Sequence, residues 1–187
     1  FSALPDVSKL DAGAIVAKPR DFAVRPLLER LIDECAPEAL ERDLTLALVC
    51  GDRVIRSDPV LLERILRNLL ANALRSTERG GIVVGCRPCG AEYALEVWDS
   101  GPGIPAAQRT RIFEEFYQIG NPGRDRTRGL GLGLAIVRRL AELLGHRIEV
   151  RSRMGRGSVF RVVVPAGERK AAAAGEVERR VVALVDP

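Results

Sequence analysis

Apolar residues at Leu62, Ile65, Leu66, Leu69, Leu70 and Ala73 recur at helical spacing, so the stretch over residues 61–77 must bury a wide face. Two pairs of strand-like segments flank it, at 44–50 and 54–57 before it and at 82–88 and 91–99 after it. A stripe that broad is stable only against a sheet or further helices. Ser57 or Asp58 supplies a cap and Pro59 suits the first turn, so the start of the helix is marked locally. Strands pairing locally, with helices between hairpins, lead us to expect an α+β fold with a mostly antiparallel sheet.

The remaining organisation follows from the same signals. Residues 1–13 read as a helix end stopped at Gly13, and 14–24 alternates around Pro19 as an edge strand would. Leu27, Leu28, Leu31, Ile32 and Cys35 place a helix over 26–41. A Gly51-Asp52 turn is expected to join the strands at 44–50 and 54–57. Residues 120–128 are polar and Gly/Pro-punctuated, which predicts a loop. A second amphipathic helix is expected over 133–144, then a hairpin of 147–152 with 158–164. Residues 166–180 are an Ala- and charge-rich linker, and a further apolar segment begins at Val181. Phe1 in place of Met and the apolar run at the end suggest a piece of something longer.

A hydrophobic fraction of 47% over 187 residues supports one packed domain with flanking pieces. The net charge of +4 is spread over interleaved acidic and basic residues, and aromatics make up 4%, so a nucleic-acid binder is not expected. No run reaches the roughly 18–20 apolar residues of a membrane span. A cytoplasmic piece without membrane contact is therefore expected, with an anchor elsewhere in the parent protein left open. Cys86 and Cys89 have the spacing of a redox or zinc pair. A zinc site needs two more ligands, and Cys35 and Cys50 lack paired spacing. Reduced thiols in and near a hairpin turn are the expectation.

Asn68 and Asn72 lie one helical turn apart, and their apolar neighbours put at least one amide at the edge of the core. Two solvated amides are the plain reading. A side-chain amide oxygen also suits Mg²⁺, which takes few protein ligands plus substrate phosphates, and Arg75 could reach a phosphate. Asp99 closes an apolar strand before Gly101 and Gly103. It could simply cap its own turn. It could instead accept the amino hydrogen of adenine, a position that repels the oxygen of guanine. Gly129, Leu130, Gly131, Leu132 and Gly133 run into a helix whose free N–H groups suit phosphate. The spacing fits neither the dinucleotide fingerprint nor a Walker A loop.

In this order the motifs resemble the catalytic, ATP-binding domain of bacterial sensor histidine kinases, within the gyrase-type ATPase superfamily. Asn68-Leu-Leu-Ala-Asn72-Ala-Leu-Arg75 looks like the N box, and Asp99-Ser-Gly101-Pro-Gly103-Ile104-Pro like the first glycine box. Ile112-Phe-Glu-Glu-Phe116-Tyr117-Gln118 is similar to the F box, Gly129 to Val137 to the second glycine box, and Gly155-Arg-Gly-Ser158 to the closing glycine motif. The resemblance implies a Bergerat α/β sandwich, a mixed sheet with helices on one face, binding ATP and Mg²⁺ over residues 14–165.

By that resemblance Asn72 ligates Mg²⁺, Asp99 reads adenine, and Ser158 helps hold Asp99 or an ordered water. Gly101, Gly103, Ile104, Tyr117 and Arg128 line the nucleotide, with Gly129, Leu130, Gly131, Leu132, Gly133 and Leu134 beside it. Residues 120–128 would be the ATP lid. Three departures stand out: Ser76 where relatives often have Tyr, Leu130 where Thr, Ser or Ala is common, and Gln118 where many have Arg. Charge at the γ-phosphate would then fall to Arg75 or to Arg124, Arg126 or Arg128.

Asn68 stands where hydrolysing relatives carry a Glu that activates water, and an amide cannot take the proton. Transfer to a protein histidine is the implied reaction, with Asn68 and Arg75 as its catalytic residues. His146 falls in a helix-to-strand turn and is expected to be structural. The acceptor histidine is expected upstream, on a helical hairpin whose last turns resemble residues 1–13. The implied partners are that hairpin, a second copy of the parent, and a response-regulator receiver domain, whose first strand resembles residues 180–187. A nucleotide-sensing module without transfer, or an anti-sigma-type serine kinase, would use the same pocket.

Overall fold

The computed structural model describes residues 15–119, 131–168 and 178–183. Among them the chain runs β1 (Arg20–Ala23), α1 (Arg25–Glu41), β2 (Leu44–Cys50), β3 (Val54–Ser57) and α2 (Pro59–Ser76). There follow β4 (Gly80–Cys89), β5 (Glu92–Asp99), two short 3₁₀ turns, α3 (Gly133–Leu144), β6 (Arg147–Arg153), β7 (Gly157–Pro165) and β8 (Glu178–Ala183). Six strands form one sheet in the order β6-β7-β5-β4-β2-β8. The β2–β4 pair is parallel and the others antiparallel, so the mixed α+β class expected from the sequence is the class observed.

One face of that sheet is apolar. Leu46 and Leu48 of β2, Ile82 and Val84 of β4, Leu95 and Val97 of β5, and Phe160 and Val162 of β7 are buried in a common cluster with the three helices. The local signals explain the helix ends. Asp58 caps α2 by accepting from the N–H groups of Val60 at 2.9 Å and Leu61 at 3.1 Å, while its other oxygen accepts from Lys18 N–H at 2.8 Å. Gly145 adopts φ +67 after α3, a left-handed cap that suits glycine.

Four expectations need correction. The strand foreseen over 14–24 contracts to Arg20–Ala23, pairing with β3 in a separate two-stranded sheet. The segments at 44–50 and 54–57 are both strands but not a hairpin. β2 lies between β4 and β8 in the large sheet, because its buried, alternating face is claimed by the core. Cys86 and Cys89 fall within β4, and the turn comes after them at Gly90-Ala91. Cys86 faces Cys50 across the parallel β2–β4 pair, and all four cysteines are free thiols. Within the expected linker and receiver start, Ala166 bridges to Ile55 and β8 pairs antiparallel with β2. The helix end over 1–13 and the lid over 120–128 lie outside the described residues.

Candidate functional site

Between the last turns of α2, the start of α3 and the ends of β5 and β7 lies a cavity of about 520 Å³. Ile104, Ile112 and Phe160 give it an apolar floor, Asn72 and Arg75 stand on its rim, and the buried Asp99 lines it. The fold brings these together from three elements: α2 delivers Asn72 and Arg75, β5 ends on Asp99, and β7 sets Ser158 opposite Asp99 in register.

Asp99 is 8% exposed, and its Oδ1 accepts from the Gly101 N–H at 2.9 Å. Burial pushes its carboxyl above the ordinary carboxylate value, while bonds from the backbone N–H groups of Gly101 and Ser158 oppose that shift. Its turn depends on glycine. Gly103 has φ +79, and a Cβ there would run into the Arg153 carbonyl; a Cβ on Gly157, at φ +94, would strike the Asp99 carbonyl.

The hydroxyl of Ser158 lies 3.0 Å from that of Ser152. Ser152 also accepts from the Ile104 N–H at 2.7 Å and donates to the Gly157 carbonyl at 3.0 Å. Sequence reasoning missed Ser152, since nothing near it in the chain announces a partner 48 residues away.

On the opposite side, Phe116 holds φ +61 and its N–H donates to the Gly131 carbonyl at 3.1 Å. The two glycine-box and F-box segments are thereby joined. Tyr117 lines the cavity under the Arg111 guanidinium, 4.5 Å from the ring centre. Gly131, Gly133, Leu134 and Gln118 line the cavity as well, with Gly133 opening α3 and so turning its N–H end inward.

Not every predicted residue faces the cavity. Asn68 is half-buried behind it, where its Nδ2 donates to the Arg64 carbonyl at 2.8 Å and its Oδ1 lies 3.2 Å from where a Cβ on Gly133 would sit. Leu132 is buried in the core. Arg128, Gly129 and Leu130 lie outside the described residues, as do Arg124 and Arg126. Arg42, which the sequence does not single out, joins the rim.

No group of three or more His, Cys, Asp or Glu side chains capable of holding a metal occurs among the described residues. Asn72 offers a hard amide oxygen at the rim, which fits a Mg²⁺ completed by phosphate oxygens and water and does not fit a metal caged by protein alone. His146 stands apart, its Nε2 2.7 Å from the Ser57 hydroxyl, and burial lowers its pKa.

Residues 57–168 match the family model for the histidine kinase-, DNA gyrase B-, and HSP90-like ATPases. The chain is 33% identical over 168 residues to the sensor histidine kinase RcsC of Escherichia coli (strain K12), covering 88% of this chain and 18% of that one. It is 41% identical over 161 residues to the sensor histidine kinase AruS of Pseudomonas aeruginosa, covering 82% and 16%. It thus spans under a fifth of either relative. Full-length ShkA in complex with AMPPNP superposes with a TM-score of 0.79 at 31% identity, over 91% of this chain and 36% of that one. The catalytic domain of histidine kinase ThkA gives 0.70 at 25% identity, over 80% and 97%.

Proposed function

Because this chain belongs to the histidine kinase-, DNA gyrase B-, and HSP90-like ATPase family, as an ATP-binding catalytic domain of the sensor histidine kinase type, we propose that it transfers the γ-phosphate of ATP to a histidine on an upstream helical hairpin. The observation that carries the reading is the cavity itself: the buried carboxylate of Asp99, Asn72, Arg75 and the start of α3 line one partly apolar slot.

The residues divide the work by position. Asp99 accepts the amino hydrogen of adenine while its turn leaves room for a flat ring against Gly103 and Ile104. The start of α3 at Gly133 presents N–H groups to the phosphates. Arg75, exposed on the rim, neutralises charge as the phosphoryl group departs. Asn72 would hold Mg²⁺, which would supply positive charge to the phosphates.

Asn68 carries an amide that cannot take a proton from water, and its Nδ2 is already committed to the Arg64 carbonyl. That supports transfer to a protein nucleophile over hydrolysis. His146 is held by Ser57 and half-buried, which suits a structural side chain. The acceptor, the dimeric parent and the receiver domain that takes the phosphate onward complete the proposal. Among the described residues no helix is long and apolar enough to cross a membrane.

The test extends the chain upstream through the hairpin and follows labelled phosphate from ATP, with Asn72→Ala as the control. Label on the hairpin histidine, lost in the variant, is the expected result. ATP binding with no label on any supplied hairpin would favour a nucleotide-sensing module instead.

A further inference from the structure

Arg42 lines the cavity without belonging to any of its motifs. It follows α1, yet its guanidinium donates to the carbonyls of Leu74 and, at 3.2 Å, Thr77, at the C-terminal end of α2. Glu38 stands 3.9 Å away. Two anchored donors fix the plane of the group as well as its place. The side chain remains 34% exposed, on the rim beside Ser76.

Ser76 leaves that wall bare. Its hydroxyl turns back to the carbonyls of Asn72 at 2.9 Å and Ala73 at 3.3 Å. Its own carbonyl lies 3.1 Å from where a Cβ on Gly101 would sit, as does Asp99 Oδ1 at 2.9 Å. This turn of α2 is therefore the wall beside the Asp99 carboxylate. On the α2 side of that carboxylate the cavity is lined by the short Ser76 side chain and the guanidinium of Arg42, and Ile104, Ile112 and Phe160 line it with apolar surface.

We propose that Arg42 lies flat against the bound adenine and forms the second face of its slot by a cation–π contact. The inference rests on the nucleotide reading above and assigns a base-facing residue to that site. A phosphate contact fits the geometry less well. Arg75, in the same turn of α2, is exposed and carries the cation toward the phosphates, whereas the Arg42 guanidinium is tied down at the Leu74 and Thr77 carbonyls. Two of its donors are also already engaged.

The experiment titrates Mg-ATP and, separately, Mg-tripolyphosphate into the wild-type chain, R42A and R42A/S76Y, with a thermal melt of each. R42A should bind ATP about tenfold more weakly and tripolyphosphate unchanged. R42A/S76Y should recover most of the ATP affinity, because the introduced ring replaces the lost face. Unaltered ATP binding by R42A overturns the proposal, and so does a parallel loss for tripolyphosphate. Failure of R42A/S76Y to restore affinity overturns it too, and an early melt of both variants then leaves Arg42 as a cap on α2. Absence of ATP binding by the wild-type chain is a different failure, that of the nucleotide reading itself.

Discussion

The hydroxyls of Ser152 and Ser158 meet at 3.0 Å across the β6–β7 pair, and Ser152 simultaneously holds the Ile104 N–H at 2.7 Å. One side chain thus ties the loop that follows Asp99 to the strand that faces Asp99. Ser152→Ala strands a part-buried N–H, at an expected cost of about 1–2 kcal/mol in stability, and loosens the floor of the cavity. Denaturation midpoints and ATP titration on the same variant check this; an unshifted midpoint with native affinity would count against it.

Gly103 allows the same loop its shape. Its φ of +79 and the Arg153 carbonyl behind it leave no room for a methyl group. Gly103→Ala should destabilise the chain by about 1–3 kcal/mol and weaken ATP binding at least as much as Ser152→Ala does. Gly90→Ala, with φ +63 but open space around it, should lose stability without losing affinity. Equal affinity losses in the two variants would contradict the special place given to Gly103.

On the proposed reading, Asp99 should make nucleotide binding depend on pH. Burial raises its pKa above the ordinary 3.8, so on acidification it gains its proton earlier than an exposed carboxylate does. The neutral group is a poorer acceptor, and ATP affinity should fall as pH drops through the raised value. Stability moves the other way for this group, because protonation relieves the cost of burying its charge. Asp99→Asn should bind weakly and show a flat profile across the same range, read by titration at several pH values.

His146 has the opposite linkage. Its folded pKa lies below the ordinary 6.5 because burial disfavours the cation. The stability it contributes is fully present above 6.5 and is lost as pH falls through the folded value. Melting temperatures should therefore decline between about pH 7 and 5, and less steeply in His146→Gln. The isolated chain should also retain no labelled phosphate on His146; stable label there would break the structural assignment.

Local signals in the sequence were enough to place every helix that the structure describes. Asp58 and Pro59 announce the start of α2, the stripe from Leu62 to Ala73 announces its face, and Gly145 announces the end of α3. The hairpins β4–β5 and β6–β7 were legible for the same reason, since their partners are neighbours in the chain. Pairing across longer distances was not. β2 and β3 look like a hairpin until the parallel β2–β4 pairing and the separate β1–β3 sheet are seen, and both are decided by which faces the core can cover.

The site divides similarly. Asn72, Asp99 and Gly103 carry their chemistry in their own motifs. Arg42 and Ser152 act through bonds to residues 32 and 48 positions away, and no local pattern reports such a partner.

The central claim is that adenine docks on Asp99 in a cavity whose far end holds magnesium-bound phosphates. Calorimetry of the chain with ATP and Mg²⁺ tests it most directly, with Asp99→Ala and Asn72→Ala measured alongside. The account predicts saturable heat for the wild type, weakened by at least tenfold in Asp99→Ala, as expected on losing a hydrogen bond to a buried charge, and weakened in Asn72→Ala when the metal is present. No heat from the wild type, or undiminished binding by Asp99→Ala, would contradict it.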